Sequence, residues 1–313
     1  MFDKENFLSF SIEKDEKKIR IDSFLKNKFK DRSRSYFQYL IKEGAILING
    51  KKIKKNSFVK YKDQIKISFL SLPQISLTPQ KIPLNILFED EHIICINKPA
   101  NMVVHPACGN YDNTLVNALL YHTNDIKNID DSIRPGIVHR LDKNTSGVLI
   151  AAKTTEAHGK LSLLFLKRKI EKEYICICIG KIEDQKITAP IKRNPHKRKE
   201  MIVKEKGKLA ITEFKTIFEK NNFSLVKAIP STGRTHQIRV HLKYLNAPIL
   251  GDDVYGLNKK NKLLNIERQM LHAYKLSFSH PITNKFLSIK APIPQDFKKN
   301  MDKLGLQIKK NLE

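Results

Sequence analysis

Between residues 19 and 70 the spacing of apolar positions changes from a helical period to a strand period. Ile21, Phe24, Leu25 and Phe29 fall on one face of a 3.6-residue helix, and Tyr36, Phe37, Leu40 and Ile41 fall on one face of a second. Ser33 stands where the second helix needs a side-chain acceptor for its first free amides. Gly44 stands where the chain leaves that helix. The period then shortens to two. Ala45-Ile46-Leu47-Ile48 reads as a strand, Asn49-Gly50 as a two-residue hairpin turn, and Ile65 and Ile67 as alternate positions of a last strand. This pattern predicts a small α+β module over residues 1–72. Pro73, Pro79 and Pro83 then mark residues 73–83 as a linker.

From residue 84 to 313 strands dominate. Segments 86–88 and 93–96 flank the polar turn Glu89-Asp90-Glu91-His92, and further strands are predicted over 148–152, 174–179, 210–217 and 223–229. Helical patterns interrupt over 114–121 and 155–168, and another helix opens near Thr235. Helices and strands that mix without strict alternation predict an α+β domain built on a mainly antiparallel, mixed sheet.

Charge narrows the choice of partner. Lys and Arg number 58 against 32 Asp and Glu, a formal net charge of +26. Such an excess calls for a polyanion. No run approaches the roughly 20 apolar residues of a spanning helix, so nucleic acid is expected and a membrane is not. Residues 51–66 carry seven lysines against one acid, Asp63, with Phe58 and Tyr61 between them. Lys51, Lys52, Lys54 and Lys55 are therefore candidate phosphate contacts. Residues 193–208 are basic and are expected to form a hairpin arm against RNA. The four cysteines show neither a disulfide framework nor metal-ligand spacing, which predicts reduced packing residues, a cytoplasmic protein and no metal. No glycine-rich loop follows a strand to hold a phosphate-bearing cofactor.

The chemistry concentrates in His139-Arg140-Leu141-Asp142-Lys143-Asn144-Thr145-Ser146-Gly147, which runs straight into the apolar strand 148–152. Asp142 there can cap a turn, or serve as nucleophile or base in a site sheltered from bulk water. His139 suits a hydrogen bond within the loop. Tyr174 follows Lys172-Glu173 on a strand where Ile175, Ile177 and Ile179 form the expected core face, leaving Tyr174, Cys176 and Cys178 on the other. In Ser231-Thr232-Gly233-Arg234-Thr235-His236-Gln237-Ile238-Arg239-Val240-His241, helical spacing puts His236, Arg239 and Lys243 on a polar face and Ile238, Leu242 and Leu245 on an apolar one. A sheltered carboxylate needs a cation to stay charged. By the residues alone, Arg140 and Arg239 compete for that place. Arg234 and Gln237 look positioned for contact with a nucleic-acid backbone, and Lys98, in Asn97-Lys98-Pro99, is a further candidate.

These strings resemble the motifs of the large-ribosomal-subunit RNA pseudouridine synthases, along nearly the whole chain. Arg20-Ile21-Asp22, Ser33-Arg34-Ser35, Ile41-Lys42-Glu43-Gly44, Ile48-Asn49-Gly50 and Lys62-Asp63-Gln64-Ile65 resemble the alpha-L RNA-binding module first known from a small-subunit ribosomal protein. The resemblance implies a catalytic domain of pseudouridine synthase type over 84–313 that turns uridine into pseudouridine without cofactor. It implies Asp142 as catalytic carboxylate, Tyr174 stacked on the target base and Arg239 paired with Asp142. It also implies Arg140 in the space of the extruded base, with Lys98, Arg34, Arg234, His236 and Gln237 toward RNA. The implied partner is 23S ribosomal RNA at helix 69, free or in assembling particles, met by a monomer. Transfer RNA as substrate and a non-catalytic assembly factor are the alternatives.

Overall fold

The computed structural model describes residues 7–13, 19–54, 56–71, 77–107, 110–123, 125–129 and 134–307. Lys55 and positions 73–76 of the expected linker lie outside the described residues. The chain gathers into two compact units, residues 1–76 with 106–112, and residues 77–105 with 113–313.

In the smaller unit, strand β1 (Phe7–Ser11) precedes helices α1 (Ile21–Lys28) and α2 (Arg34–Lys42), then strands β2 (Ile46–Ile48), β3 (Lys51–Lys52) and β4 (Gln64–Ser68). The strands form an antiparallel sheet in the order β1-β4-β2-β3. The helices cover it with Ile21, Leu25, Phe37 and Leu40 against Ile46, Ile65 and Ile67. Ser33 caps α2 by accepting the Tyr36 amide at 3.1 Å. Asn49 and Gly50 turn the β2–β3 hairpin with φ of 49° and 75°, both in the left-handed region that this turn requires. β1 was not foreseen. Asp22 is fully buried, and Arg34, Arg20 and Gln38 all bond its carboxylate. Burial pushes its pKa up, but those bonds and charges outweigh it and hold the group below the usual carboxylate range. Arg34 thus commits Nε and Nη2 to Asp22 while its side chain stays about half exposed.

The larger unit opens with β5 (Ile86–Glu89), β6 (Ile93–Lys98) and α3 (Leu115–His122). β7 (Ser146–Ala152), α4 (Thr155–Leu166), β8 (Glu171–Ile179), β9 (Gln185–Thr188), β10 (Ile191–Arg193) and β11 (Met201–Val203) follow. β12 (Ile211–Lys220), β13 (Phe223–Pro230), α5 (Gln237–Tyr244), α6 (Asn258–Leu263), β14 (Leu271–Ser279), β15 (Phe286–Lys290) and α7 (Gln295–Leu304) complete it. Among the described residues, the main sheet runs β5-β6-β7-β14-β8-β13-β12-β9, with β15 also on β14. Its pairings are antiparallel except β7 with β14, which meet at His272–Ser146 and Ala273–Gly147 alone. The fold is α+β with a mainly antiparallel sheet. β10 and β11 form the expected basic hairpin.

Two expectations change. The isoleucine face of β8 packs on Tyr274, Phe297 and Met301, yet the cysteine face is buried too, against Val226, Ile238 and Leu242. Helices α7 and α5 cover opposite faces of this central strand, so a single core face does not exist there. Residues 77–83 are no free linker either. Leu77 packs on the core, Thr78 O accepts Asn117 Nδ2 at 2.9 Å, and Gln80 N donates to Asn117 O at 2.9 Å.

Gly147 holds the short parallel contact together. Its φ is +115°, and a Cβ built there would lie 2.1 Å from Ala273 O. Gly50 also has positive φ but open space around it. Gly147→Ala should therefore cost more than about 4 kcal/mol, and Gly50→Ala about 1 kcal/mol. Denaturant unfolding of the two variants checks this, and equal midpoints would contradict the packing argument.

Candidate active site

The loop before β7 carries the candidate carboxylate. Leu141 is buried and anchors it, and Thr145 N donates to Asp142 O at 3.0 Å to close a turn. Asp142 faces a cavity of about 580 Å³ lined also by Arg140, Tyr174, Arg234, His236 and Arg239. His139 lines the same cavity. Its Nε2 accepts the Ile150 amide at 3.0 Å and its ring stacks on Phe165, 4.7 Å between centroids. That nitrogen must be unprotonated to accept, and burial pushes the group down to about 3. His139 is a structural hydrogen-bond acceptor, but its partner stands in β7 and not within the loop as expected.

α5 delivers the cation. Arg239 is 4% exposed. Its Nη1 donates to Asp142 Oδ2 at 2.9 Å, while Nε and Nη2 clasp Asp252 at 2.7 and 2.9 Å. Asp252 is wholly buried, and its Oδ1 also accepts the Val254 and Tyr255 amides, each at 2.9 Å. Burial opposes the charge on Arg239, but Asp252 first and Asp142 second outweigh it and raise the guanidinium further above its ordinary value. The guanidinium also lies 5.1 Å from the Tyr255 ring centroid. Between the two arginines that sequence leaves in competition, Arg239 makes the bond to Asp142. Arg140 is exposed at the cavity's rim.

His236 starts α5 with a left-handed φ of 55°. Its Nδ1 is 2.9 Å from Tyr255 Oη, which accepts the Met201 amide at 2.7 Å. The tyrosine hydrogen is then free to go to Nδ1, which puts the imidazole proton on Nε2, 3.9 Å from Asp142 Oδ2. Burial lowers the pKa of His236, Asp142 opposes that, and Arg239 adds to it. Tyr174 is half-buried on the cavity wall. Burial, and secondly the charge of Asp142, push its phenol well above the ordinary value, so it stays protonated at neutral pH.

Two candidates and one face of α5 are placed differently from expectation. Lys98 does not face RNA: it is fully buried, and Nζ donates to Pro99 O, Met102 O and Lys143 O at 2.7, 2.9 and 3.2 Å. Three carbonyls take up the three N–H donors of an ammonium. Gln237 does not reach outward either. Its Oε1 accepts Thr232 Oγ1 and Arg234 N at 2.7 and 2.9 Å, and its Nε2 donates to Ile211 O and Thr212 Oγ1 at 2.9 Å each. It shapes the turn before α5. The expected polar face of α5 is mostly inward: Arg239 is buried, His236 is half-buried on the cavity wall, and only Lys243 is exposed. Arg234 lines the cavity half-buried, with Nε on Leu209 O at 3.0 Å. Asp252 and Tyr255 carry no role in the sequence reading. An acid just after the apolar run 248–250 was the available signal, because a buried carboxylate needs a cation.

Burial of Lys98 has a pH signature. Desolvation lowers its pKa from 10.5 to about 7, against a smaller opposing pull from Asp142. Between those values the unfolded chain holds the proton and the folded chain does not, so native stability rises with pH across this window and is lost again as pH falls to 7. Lys98→Met removes the contribution. The difference in unfolding free energy between wild type and variant should grow in favour of wild type from pH 7 to 10, by a few kcal/mol. Parallel curves would contradict it.

Known proteins fit this geometry. A family model described as RNA pseudouridylate synthase matches residues 92–244, and an S4 domain model matches residues 19–65. A ribosomal large subunit pseudouridine synthase D of Zymomonas mobilis is 47% identical over 227 residues, 70% of this chain and 72% of that one. Its namesake in Pseudomonas aeruginosa is 39% identical over 291 residues, 89% of each chain. An uncharacterised RNA pseudouridine synthase of Bacillus subtilis is 37% identical over 301 residues, 96% of this chain and 98% of that one. The solved structure of human RNA pseudouridylate synthase domain containing 4 shares the fold, with a TM-score of 0.56 at 24% identity over 72% of this chain and 94% of that one. A buried arginine that holds a cleft aspartate, in a chain with these relatives, makes the protein a member of the RNA pseudouridine synthase family, an isomerase acting on RNA, with an N-terminal S4 domain.

Proposed function

We propose that this enzyme isomerises uridine in 23S ribosomal RNA of the large subunit, at helix 69, with Asp142 as the catalytic carboxylate. The observation that carries the reading is the 2.9 Å bond from Arg239 to Asp142 at the floor of an open cleft. Its substrate side is supported by relatives named ribosomal large subunit pseudouridine synthase D and by the S4 domain. The working place of such an enzyme is the cytoplasm, as a monomer on free ribosomal RNA or on assembling particles.

Pseudouridine formation breaks the bond from uracil N1 to the sugar, turns the base, and joins C5 to the same sugar carbon. The C5 proton leaves and N1 gains one, so no other reagent enters. A charged Asp142 suits two openings of this sequence, attack on the anomeric carbon or removal of the neighbouring sugar proton. Arg239 holds the carboxylate and offsets its desolvation. Tyr174, neutral, offers its ring to the base, and such stacking contributes roughly 1–3 kcal/mol. A uridine within stacked RNA must first swing out, and Arg140 at the rim suits the gap it leaves. Arg193, Lys197, Arg198 and Lys199 on the β10–β11 hairpin, and Lys51, Lys52 and Lys54 on the S4 unit, are exposed for phosphates.

Asp142→Asn should lower tritium release from 5-labelled uridine in ribosomal RNA by roughly 10³-fold or more while the RNA dissociation constant holds. Near-normal release would remove Asp142 from the mechanism, and equal release from transfer RNA would overturn the substrate. Replacing Lys51, Lys52 and Lys54 together by Gln should weaken RNA binding and reduce the slope of log affinity against log salt by about 2–3. An unchanged slope would take these lysines out of the phosphate contacts.

A further inference from the structure

The turn that presents Asp142 is gripped from behind. Each of the three residues after the carboxylate is held by a side chain of another segment. Lys143 O takes Lys98 Nζ at 3.2 Å, Asn144 O takes Arg268 Nη1 at 3.3 Å, and Thr145 Oγ1 takes Gln269 Nε2 at 2.7 Å. Arg268 and Gln269 lie just before β14 and are 6% and 2% exposed. Neither reaches the cleft. Arg268 and Lys98 instead line a second cavity, of about 1140 Å³, on the far side of the turn. Arg268 is itself held by Asp296 in the first turn of α7, Nε to Oδ2 at 2.5 Å and Nη2 to Oδ1 at 2.9 Å.

We infer that Arg268 and Gln269 are positioning residues for the isomerisation, with Asp296 orienting Arg268. The inference rests on the proposed role of Asp142. A four-residue turn closed by one backbone bond, Thr145 N to Asp142 O, has freedom to tilt. The pull of Arg239 on Asp142 acts from the cleft side only. A carboxylate that must reach one sugar carbon needs a second constraint from the opposite side, and the grip on 143–145 supplies it. Arg268 has two jobs that a neutral or flexible side chain could not combine. Its Nη1 reaches the Asn144 carbonyl, while the other edge of the rigid fork is locked on Asp296. Gln269 adds a directional bond to a hydroxyl 2% exposed. The C-terminal helix thereby bears on the geometry of a residue more than 140 positions earlier in the chain.

The test separates position from stability. Gln269→Met and Thr145→Val each remove one partner at near-constant volume, and Asp296→Asn weakens the hold on Arg268 at a half-exposed site. Each should lower single-turnover isomerisation by roughly 10–100-fold, the cost of about 1 Å of misplacement, while the RNA dissociation constant stays within about twofold and the protein stays folded at the assay temperature. The double variant Gln269→Met, Thr145→Val should be no slower than the worse single one, because the two groups act as one bond. Thr145→Ser, which keeps the hydroxyl, should restore the rate. Wild-type turnover in folded Gln269→Met or Asp296→Asn overturns the inference, as does a loss that only tracks the folded fraction. Asp142→Asn, run alongside, keeps the two readings apart. If it retains activity, the role of Asp142 fails, and if it alone is inactive, only the positioning role fails.

Discussion

A guanidinium taken out of water must find anions, and Arg239 hydrogen-bonds two, with a third, Asp253, 3.6 Å from Nη2. Asp252 takes the Nε and Nη2 edge, and Asp142 is left with Nη1. The order of commitment matters. Asp252 is fully buried and bonded to two backbone amides, so it fixes the arginine before any substrate arrives. The fixed arginine in turn fixes Asp142. Tyr255 belongs to the same assembly, with its ring near the guanidinium and its hydroxyl on His236. Losing Asp252 would leave a buried charge with the partly exposed Asp142 and the outlying, exposed Asp253, so the buried acid matters as much as the arginine that touches the cleft.

The sheet explains how such distant residues meet. β7 runs antiparallel to β6 and parallel to β14. The parallel contact lasts two residue pairs because β15 takes the rest of that edge of β14. The loop leading into β7 therefore arrives beside the start of β14, where Arg268 and Gln269 stand. α5 covers β8 from the cysteine side, which brings Arg239 to the same end of the sheet. Gly147 is the only residue type that tolerates the approach of Ala273 O at this crossing.

Periodicity and turn chemistry made the small unit legible. Two helical faces, Ser33 and Asn49-Gly50 are local signals, and local signals are what a sequence displays. β1 was missed because its residues are mostly exposed and carry no strong alternation. The cleft was legible as strings, since Asp142, Tyr174 and Arg239 each sit in a motif. What those strings hid was orientation. Lysine and glutamine read as surface residues, and only the fold reveals three carbonyls around Lys98 or four bonds around Gln237. The burial of both faces of β8 depends on α5 and α7, which lie far along the chain. Asp252 drew no role from the sequence, because its partner stands 13 residues upstream, and the loop that folds it back is set by tertiary packing.

Asp142, Arg239, Asp252 and Asp253 carry formal charges of −1, +1, −1 and −1, so the cluster sums to −2 inside a chain of +26. Among the described residues that line the cavity Asp142 is the one carboxylate, and Arg140, Arg168, Lys172, Arg234 and Arg239 share the wall with it. A nucleotide approaching this arrangement meets a charge sieve. The cationic side chains attract its phosphates and the carboxylate repels them, while the uncharged base and sugar meet no such repulsion. Such a sign pattern favours a nucleotide with its backbone toward the arginines and its glycosidic bond toward Asp142, before any base-specific contact forms.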